Sequence, residues 1–296
     1  MKQKILSMIA LVLLSVGLNA QQSYAPFLKT MGQSKTIEVL SHEIAASLSS
    51  KGFEIIGEYN PMQSDNLLVL CFTRKDLQET SLSFEDRGAL ASVLKIGLQK
   101  VDDKVVVSLQ NPMYMFYAYF RGDIEKQKTN LSLIDADAKS ALVQLYGELS
   151  SFGGQLTVEK LQNYHYKVMM PYFDDPNKLE SYDSFEEGLA YIQEKLRASS
   201  KLEKVYVEVF SKEKVAVFGI GLKDIEKGES RFLPIIGDSH LAAMPYEIIL
   251  QGNEATMLAG KYRIALHWPE LTMGTFMKIM STPGDIEDAF KEITEK

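Results

Sequence analysis

The stretch IEVLSHEIAASL, from Ile37 to Leu48, places apolar residues at the spacing of one helix face. Three of these apolar positions recur 148 residues later, and so does a Lys-Asp pair: Ile37, Ile44, Leu48 and Lys75-Asp76 return as Phe185, Ile192, Leu196 and Lys223-Asp224. A constant offset over this length predicts that the chain contains two copies of one folding unit. Each copy should begin with an amphipathic helix.

Short β-rich segments follow each predicted helix. They are Phe53–Gly57, Leu67–Phe72 and Val93–Gln99 in the first copy, and Val205–Val209, Val215–Ile220 and Tyr246–Gln251 in the second. The last pair shares a Leu-Gln ending at an offset of 152, so the second copy carries extra residues before its third strand. The segments predict neighbouring antiparallel strands.

A fourth strand is predicted where Lys104–Pro112 matches Lys261–Pro269 at an offset of 157. The apolar alternation of the two segments agrees in phase, which is typical of strands with one buried face. This alignment lengthens the second hairpin into a loop from Gly252 to Gly260.

A second apolar stripe follows each proline at the spacing of one helix face. The stripes are Met113, Phe116, Tyr117 and Phe120, then Met273, Phe276, Met277 and Met280. Because Phe and Met occupy matching positions, we interpret both stripes as core packing, not as a copper site. Closing helices are expected from about Asp135 and from Asp285, with a hinge at Ser151–Gly154 between the units.

The chain is therefore predicted to be an α+β protein with one repeat over residues 21–153 and a second over 154–296. Each repeat should hold an antiparallel sheet of about four strands with helices on one face. Leu94–Pro112 and Met244–Pro269, each preceded by a helix and strands, resemble the bacterial family called domain of unknown function 302. The resemblance implies a fold similar to the TATA-binding-protein type and implies no activity. The two copies could pair as a pseudo-dimer.

Residues 1–20 have the pattern of an export signal. Lys2 and Lys4 precede an uncharged stretch from Ile5 to Leu18, and Asn19-Ala20 offers a cleavage site before Gln21. The stretch is too short for a membrane span, and no later uncharged apolar run is long enough. We expect a periplasmic or secreted protein that does not span a membrane after signal removal.

The charge argues against nucleic acid as a partner. The net charge is -7, and removal of Lys2 and Lys4 takes it to -7 - 2 = -9, with no basic stripe along the chain. Cys71 is the only cysteine, so an internal disulfide is excluded. It lies within an apolar predicted strand, and we expect an unreactive buried thiol.

Catalytic motifs for phosphate binding, zinc hydrolysis and serine hydrolysis are missing from the sequence. We therefore expect a non-catalytic envelope protein, without a cofactor, that binds a partner protein or a small apolar ligand near the seam of the repeats. The candidate contact residues are Tyr114, Tyr117, Tyr119 and Trp268, because tyrosine and tryptophan combine apolar area with a polar tip.

Two alternatives remain open from the sequence. A metal site or an enzyme could use His165, His240 and His267, since three of the four histidines lie in the second repeat. A purely structural module would have no well-formed pocket.

Overall fold

The computed structural model describes residues 21–32, 35–167 and 169–296. Its strands are β1 (Ser23–Tyr24), β2 (Phe27–Met31), β3 (Glu54–Tyr59), β4 (Leu67–Thr73), β5 (Leu94–Val101), β6 (Lys104–Gln110), β7 (Ser150–Phe152), β8 (Leu156–Thr157), β9 (Asn177–Ser181), β10 (Leu202–Phe210), β11 (Val215–Leu222), β12 (Tyr246–Gln251) and β13 (Glu254–Met257). The predicted signal at residues 1–20 lies outside the described residues.

Ten helices accompany these strands in the described part of the chain. They are α1 (Ile37–Ser50), α2 (Lys75–Leu82), α3 (Pro112–Phe120), α4 (Lys128–Tyr146), α5 (Val158–Gln162), α6 (Phe185–Ala198), α7 (Glu229–Ile236), α8 (Gly260–His267), α9 (Met273–Lys278) and α10 (Thr282–Thr294). None of them combines the length and the hydrophobicity that a bilayer crossing requires.

The predicted α+β class is confirmed, and both larger sheets are antiparallel. The strand orders are β3-β4-β5-β6-β2-β7 in the first half and β10-β11-β12-β13-β9 in the second. Helix α1 packs on its sheet and against α4, and α6 packs on its sheet and against α10. Each sheet has a fifth shared strand, β2 or β9, that the sequence analysis missed. Both are short and partly exposed, so their apolar pattern is weak.

The ladder pairings agree with the offsets read from the sequence. Cys71 of β4 pairs with Lys95 of β5, and Gly219 of β11 pairs with Glu247 of β12. The two pairs are separated by the predicted offsets of 148 and 152. The outer strands β3 and β10 each carry a bulge beside these pairs. Lys95 and Glu247 therefore occupy corresponding positions of the two halves.

The predicted fourth strand of the second half is wrong. Residues from Gly260 to His267 form α8, and the fourth strand is β13, inside the segment expected to be a loop. The β12–β13 hairpin turns at Gly252-Asn253, two residues as in the β5–β6 hairpin, so its loop is not lengthened. All but one of the α8 residues are buried. A helix buried on every side shows no helical periodicity, which explains the error.

The segment predicted as a hinge also has a different structure. Residues 150–152 form β7, which pairs with β2 at the edge of the first sheet. Gly153 and Gly154 then turn the chain with φ values of 88° and 90°, a region that favours glycine. Strand β8 follows at once and pairs with β1, so the connection between the halves is held at both ends.

Candidate functional site

Helix α3 crosses the interior and meets α8 of the second half. All nine residues of α3 are buried, which confirms the expectation of a buried aromatic helix. The Tyr114 hydroxyl donates a hydrogen bond of 2.6 Å to the Leu266 carbonyl of α8. The Tyr164 hydroxyl donates to the neighbouring Ala265 carbonyl at 2.7 Å. Tyr114 thus links the first half to α8, and Tyr164 links the chain after β8 to the same helix.

The other aromatic residues singled out from the sequence are also packed inside. Tyr117 lies against Tyr24 with ring centroids 5.5 Å apart, and Tyr119 lies against Phe173 at 5.1 Å. Trp268 is 3% exposed. Burial raises the pKa of the Tyr114 and Tyr119 hydroxyls above the ordinary value. All four side chains lie in the core, with at most 6% of each exposed.

Three buried charges lie at the seam between the halves. The Lys95 ammonium contacts one carboxylate oxygen of Glu247, and Arg263 of α8 approaches the other at 3.0 Å. The Arg263 guanidinium also donates to the carbonyls of Ala243 and Pro245 and stacks on the Tyr246 ring, 3.6 Å from its centroid. Burial lowers the pKa of Lys95, and the charge of Glu247 opposes this shift. The cluster joins corresponding positions of both sheets.

The nearby Cys71 thiol is not built for nucleophilic chemistry. Burial raises its pKa to about 12, so the thiol is protonated at neutral pH.

A second buried carboxyl, Glu229 at the start of α7, accepts hydrogen bonds from Tyr59 and from the amides of Met62 and Leu222. Burial raises its pKa to about 7. The hydrogen bonds from Tyr59 and Met62 link α7 to the first half, and the one from Leu222 links it to β11.

Two of the three candidate histidines come together, but in an aromatic cluster. His240 and His267 both pack beside Phe27 and Trp268, with ring centroids 5.4 to 6.4 Å apart. His267 Nδ1 donates to the Arg263 carbonyl at 2.9 Å, which leaves Nε2 to accept from the Gln110 amide. His165 instead lies against Tyr172, with ring centroids 4.4 Å apart and the rings tilted by 38°. Within the described ranges, no three His, Cys, Asp or Glu side chains form a group that could hold a metal.

Replacing His240 with phenylalanine is expected to make the fold less sensitive to acid. Burial lowers the His240 pKa from 6.5 to about 4. Between these values the unfolded chain binds a proton that the folded chain does not. Acid should therefore lower the free energy of unfolding of the wild type, relative to the variant, by about 1 kcal/mol per pH unit. Denaturant unfolding from pH 7 to pH 4.5 measures this.

The matched control for this prediction is His42→Gln, which changes an exposed histidine of α1. A stability difference between wild type and His240→Phe that stays constant over the whole pH range would contradict it.

An apolar cleft opens on the outer side of α8. Its volume is about 210 Å³, and it is lined by Tyr166, Lys167, Met170, Lys261, Ile264, Ala265, Leu271, Met273 and Phe276. The Tyr166 hydroxyl donates to the Leu271 carbonyl at 3.4 Å, and Tyr164 is bonded to α8 as described. These bonds hold the connecting segment against α8, so the walls of the cleft are already in place.

The methionine stripe assigned to the core lies at the surface instead. Met273, Met277 and Met280 are 52%, 57% and 58% exposed, and none of the α9 residues is buried. The prediction of core packing for these residues was wrong because α8, not α9, occupies the position that matches α3. The exposed stripe borders the cleft through Met273 and Phe276.

A larger groove on the first half has a different character. Its volume is about 960 Å³, and charged and polar side chains of α1, β3 and the β5–β6 hairpin line most of it. Five of these are acidic: Glu38, Glu58, Asp65, Asp102 and Asp103. The groove is therefore less suited to an apolar ligand than the cleft beside α8.

Comparison with known proteins adds little to this geometry. No protein-family model matches the chain, and no curated protein matches it. Among solved structures, the chain is similar to an uncharacterized conserved protein, DUF302, from Bacillus stearothermophilus, with 10% sequence identity and a TM-score of 0.35. The similarity covers 40% of this chain and 98% of that chain. At this level the likeness supports no functional assignment.

Proposed function

We propose that the chain is a non-catalytic binding protein that takes a small apolar ligand in the cleft beside α8. The observation that carries the proposal is an apolar cavity lined by the exposed Met273 and the partly buried Met170. Met273 is 52% exposed beside Ile264 and Ala265, which are nearly buried. Methionine is flexible and polarisable, so it adapts to apolar ligands of different shape.

The seam itself supports the choice of an outer cleft. Corresponding positions of the halves meet there, as Lys95 meets Glu247 and Gly57 lies against Tyr206. We take the halves to be tandem copies of the domain of unknown function 302, paired as a pseudo-dimer. Their shared strand order and their matching bulges support this origin. With the interior of the seam filled, a ligand would bind outside it, in the cleft between α8, α9 and the chain before β9.

The export signal expected at residues 1–20 would place this binding in the periplasm or outside the cell. The ligand would then be met in an envelope compartment. Its size is limited by the cavity, because small-molecule sites usually begin at about 300 Å³. A short hydrocarbon chain or a single aromatic group suits the volume.

Binding of 1-octanol is expected to perturb the methionines of the cleft and not those elsewhere. In a protein labelled with ¹³C at the methionine methyl groups, the Met170 and Met273 signals should shift and saturate. Met31, which is exposed on β2 of the first half, is the internal reference. Met273→Asn should weaken binding about fivefold, since it removes a partly buried apolar side chain from the ligand.

Met277→Asn is the matched control for this titration. Met277 lies on the same helix and is similarly exposed, but it does not line the cleft. Equal shifts at Met31 and Met273, or equal losses of affinity in the two variants, would show that octanol binds without using the cleft.

A further inference from the structure

We infer that the ligand of this cleft is an amphipathic anion, a carboxylate carried on a short hydrocarbon chain. The inference rests on the proposed function, because it assigns the polar end of a ligand whose apolar end fills the cleft. It arises from the two cations at the border of an apolar cavity.

Lys167 and Lys261 both line the cleft, and no acidic side chain of the described residues lines it. Lys167 belongs to the segment that connects the halves, and Lys261 lies at the start of α8. The Lys167 ammonium lies 5.3 Å from the centroid of the Tyr166 ring, which forms a wall of the cleft. Two positive charges therefore lie beside the apolar surface formed by Ile264 and Leu271.

Some lysines of the second half are paired with an acid, and others, Lys278 of α9 among them, have no carboxylate within 4.0 Å in the described part of the chain. The two lysines at the cleft belong to the second group. Lys178, Lys201, Lys291 and Lys296 each have a carboxylate within 4.0 Å. By the same measure, Lys167 and Lys261 have no acidic partner in the described parts of the chain. Both side chains are exposed, so their charges remain available to a ligand. A carboxylate at the mouth of the cleft would balance charges that the protein leaves unpaired.

The overall charge of the protein makes this site selective. With a net charge of -7, the molecule as a whole repels anions. A local pair of cations overcomes that repulsion only at short range, because salt screens charges beyond about 8 Å. The apolar floor then discriminates against small hydrophilic anions, which gain nothing from it. Hydrocarbon and carboxylate must be joined in one molecule to use both features.

The test compares three ligands with one chain length: octanoate, 1-octanol and octylammonium. Each is titrated at low ionic strength into the ¹³C-methionine protein, with the Met273 signal as the readout. Octanoate should bind at least about fivefold tighter than octanol, and octylammonium should bind weakest, since each surface ion pair contributes modestly. Raising the salt concentration should reduce the difference in affinity between octanoate and octanol.

Two variants assign the effect to the lysines. Lys167→Gln and Lys261→Gln should each reduce the preference for octanoate about two- to threefold and leave octanol binding unchanged. Lys278→Gln is the matched control, because Lys278 lies on α9 but does not line the cleft. All three positions are exposed, so folding should be unaffected.

The outcomes separate this inference from the proposed function. If octanol and octanoate shift Met273 with equal affinity, or if octylammonium binds tightest, the anionic headgroup is refuted while the apolar site stands. If none of the three ligands shifts Met273, the proposed function fails and the inference fails with it. A preference for octanoate that survives both lysine substitutions would also overturn it.

Discussion

Replacing Glu247 with glutamine is expected to lower the free energy of unfolding by about 3–5 kcal/mol. Among the described residues, Glu247 is the one acid within 4.0 Å of both Lys95 and Arg263, and all three side chains are at most 7% exposed. Without its charge, two buried cations face each other without compensation. Chemical denaturation of the wild type and the variant at pH 7 measures the difference in the free energy of unfolding. The variant should also unfold at a lower midpoint concentration of denaturant.

Lys95→Met is the informative comparison for this prediction. It removes one cation but leaves Glu247 bonded to Arg263, so no buried charge is left alone. The expected loss is about 1.5–3 kcal/mol, which is typical of a lost hydrogen bond to a charged group. If Lys95→Met costs as much as Glu247→Gln, the account of Glu247 as the bridge between two cations is wrong.

Replacing Gly57 with alanine is expected to cost about 3 kcal/mol. A Cβ atom at this position would lie 2.4 Å from the Val205 carbonyl oxygen and 3.2 Å from the Tyr206 Cβ. The clash involves backbone, so no side-chain rotation relieves it, and β3 would have to separate from β10. Denaturant unfolding should show the loss, and amide hydrogen exchange should accelerate along both strands.

Gly122→Ala serves as the control, because a Cβ atom there meets nothing within 4 Å. Gly122 has no positive φ, so alanine is not strained by the backbone. Equal stability of the two variants would show that the close approach of β3 and β10 is not needed for folding.

Local patterns were sufficient where an element has one buried face. Helices α1 and α6 were predicted from apolar stripes because each lies on a sheet with its other side in water. Strand β4 was predicted from its apolar run, and its Cys71 is buried and protonated as expected. The offsets of the repeat also relate the strand pairing of Cys71 with Lys95 to that of Gly219 with Glu247.

The candidate site was only partly predictable. Met273 and Phe276 were recognised as members of an apolar stripe, but they were assigned to the core. Lys167 and Lys261 lie on segments that are distant in the chain, and neither belongs to a motif. No local signal could indicate that they line one cavity. His240 and His267 did come together, yet their neighbours are aromatic rings and carbonyls instead of ligating groups.

The sequence by itself determined the α+β class, the order of the first long helix and the three strands that follow it in each half, and the offsets between the paired positions of the central strands. These depend on periodicity and spacing, which a chain carries locally. Only the tertiary structure decided that residues 260–267 form the buried helix α8 and not a strand, that α9 remains at the surface, and that Lys95 meets Glu247. Those outcomes depend on which surfaces are buried when the halves pack together, and burial on every side removes the periodic signal from the sequence.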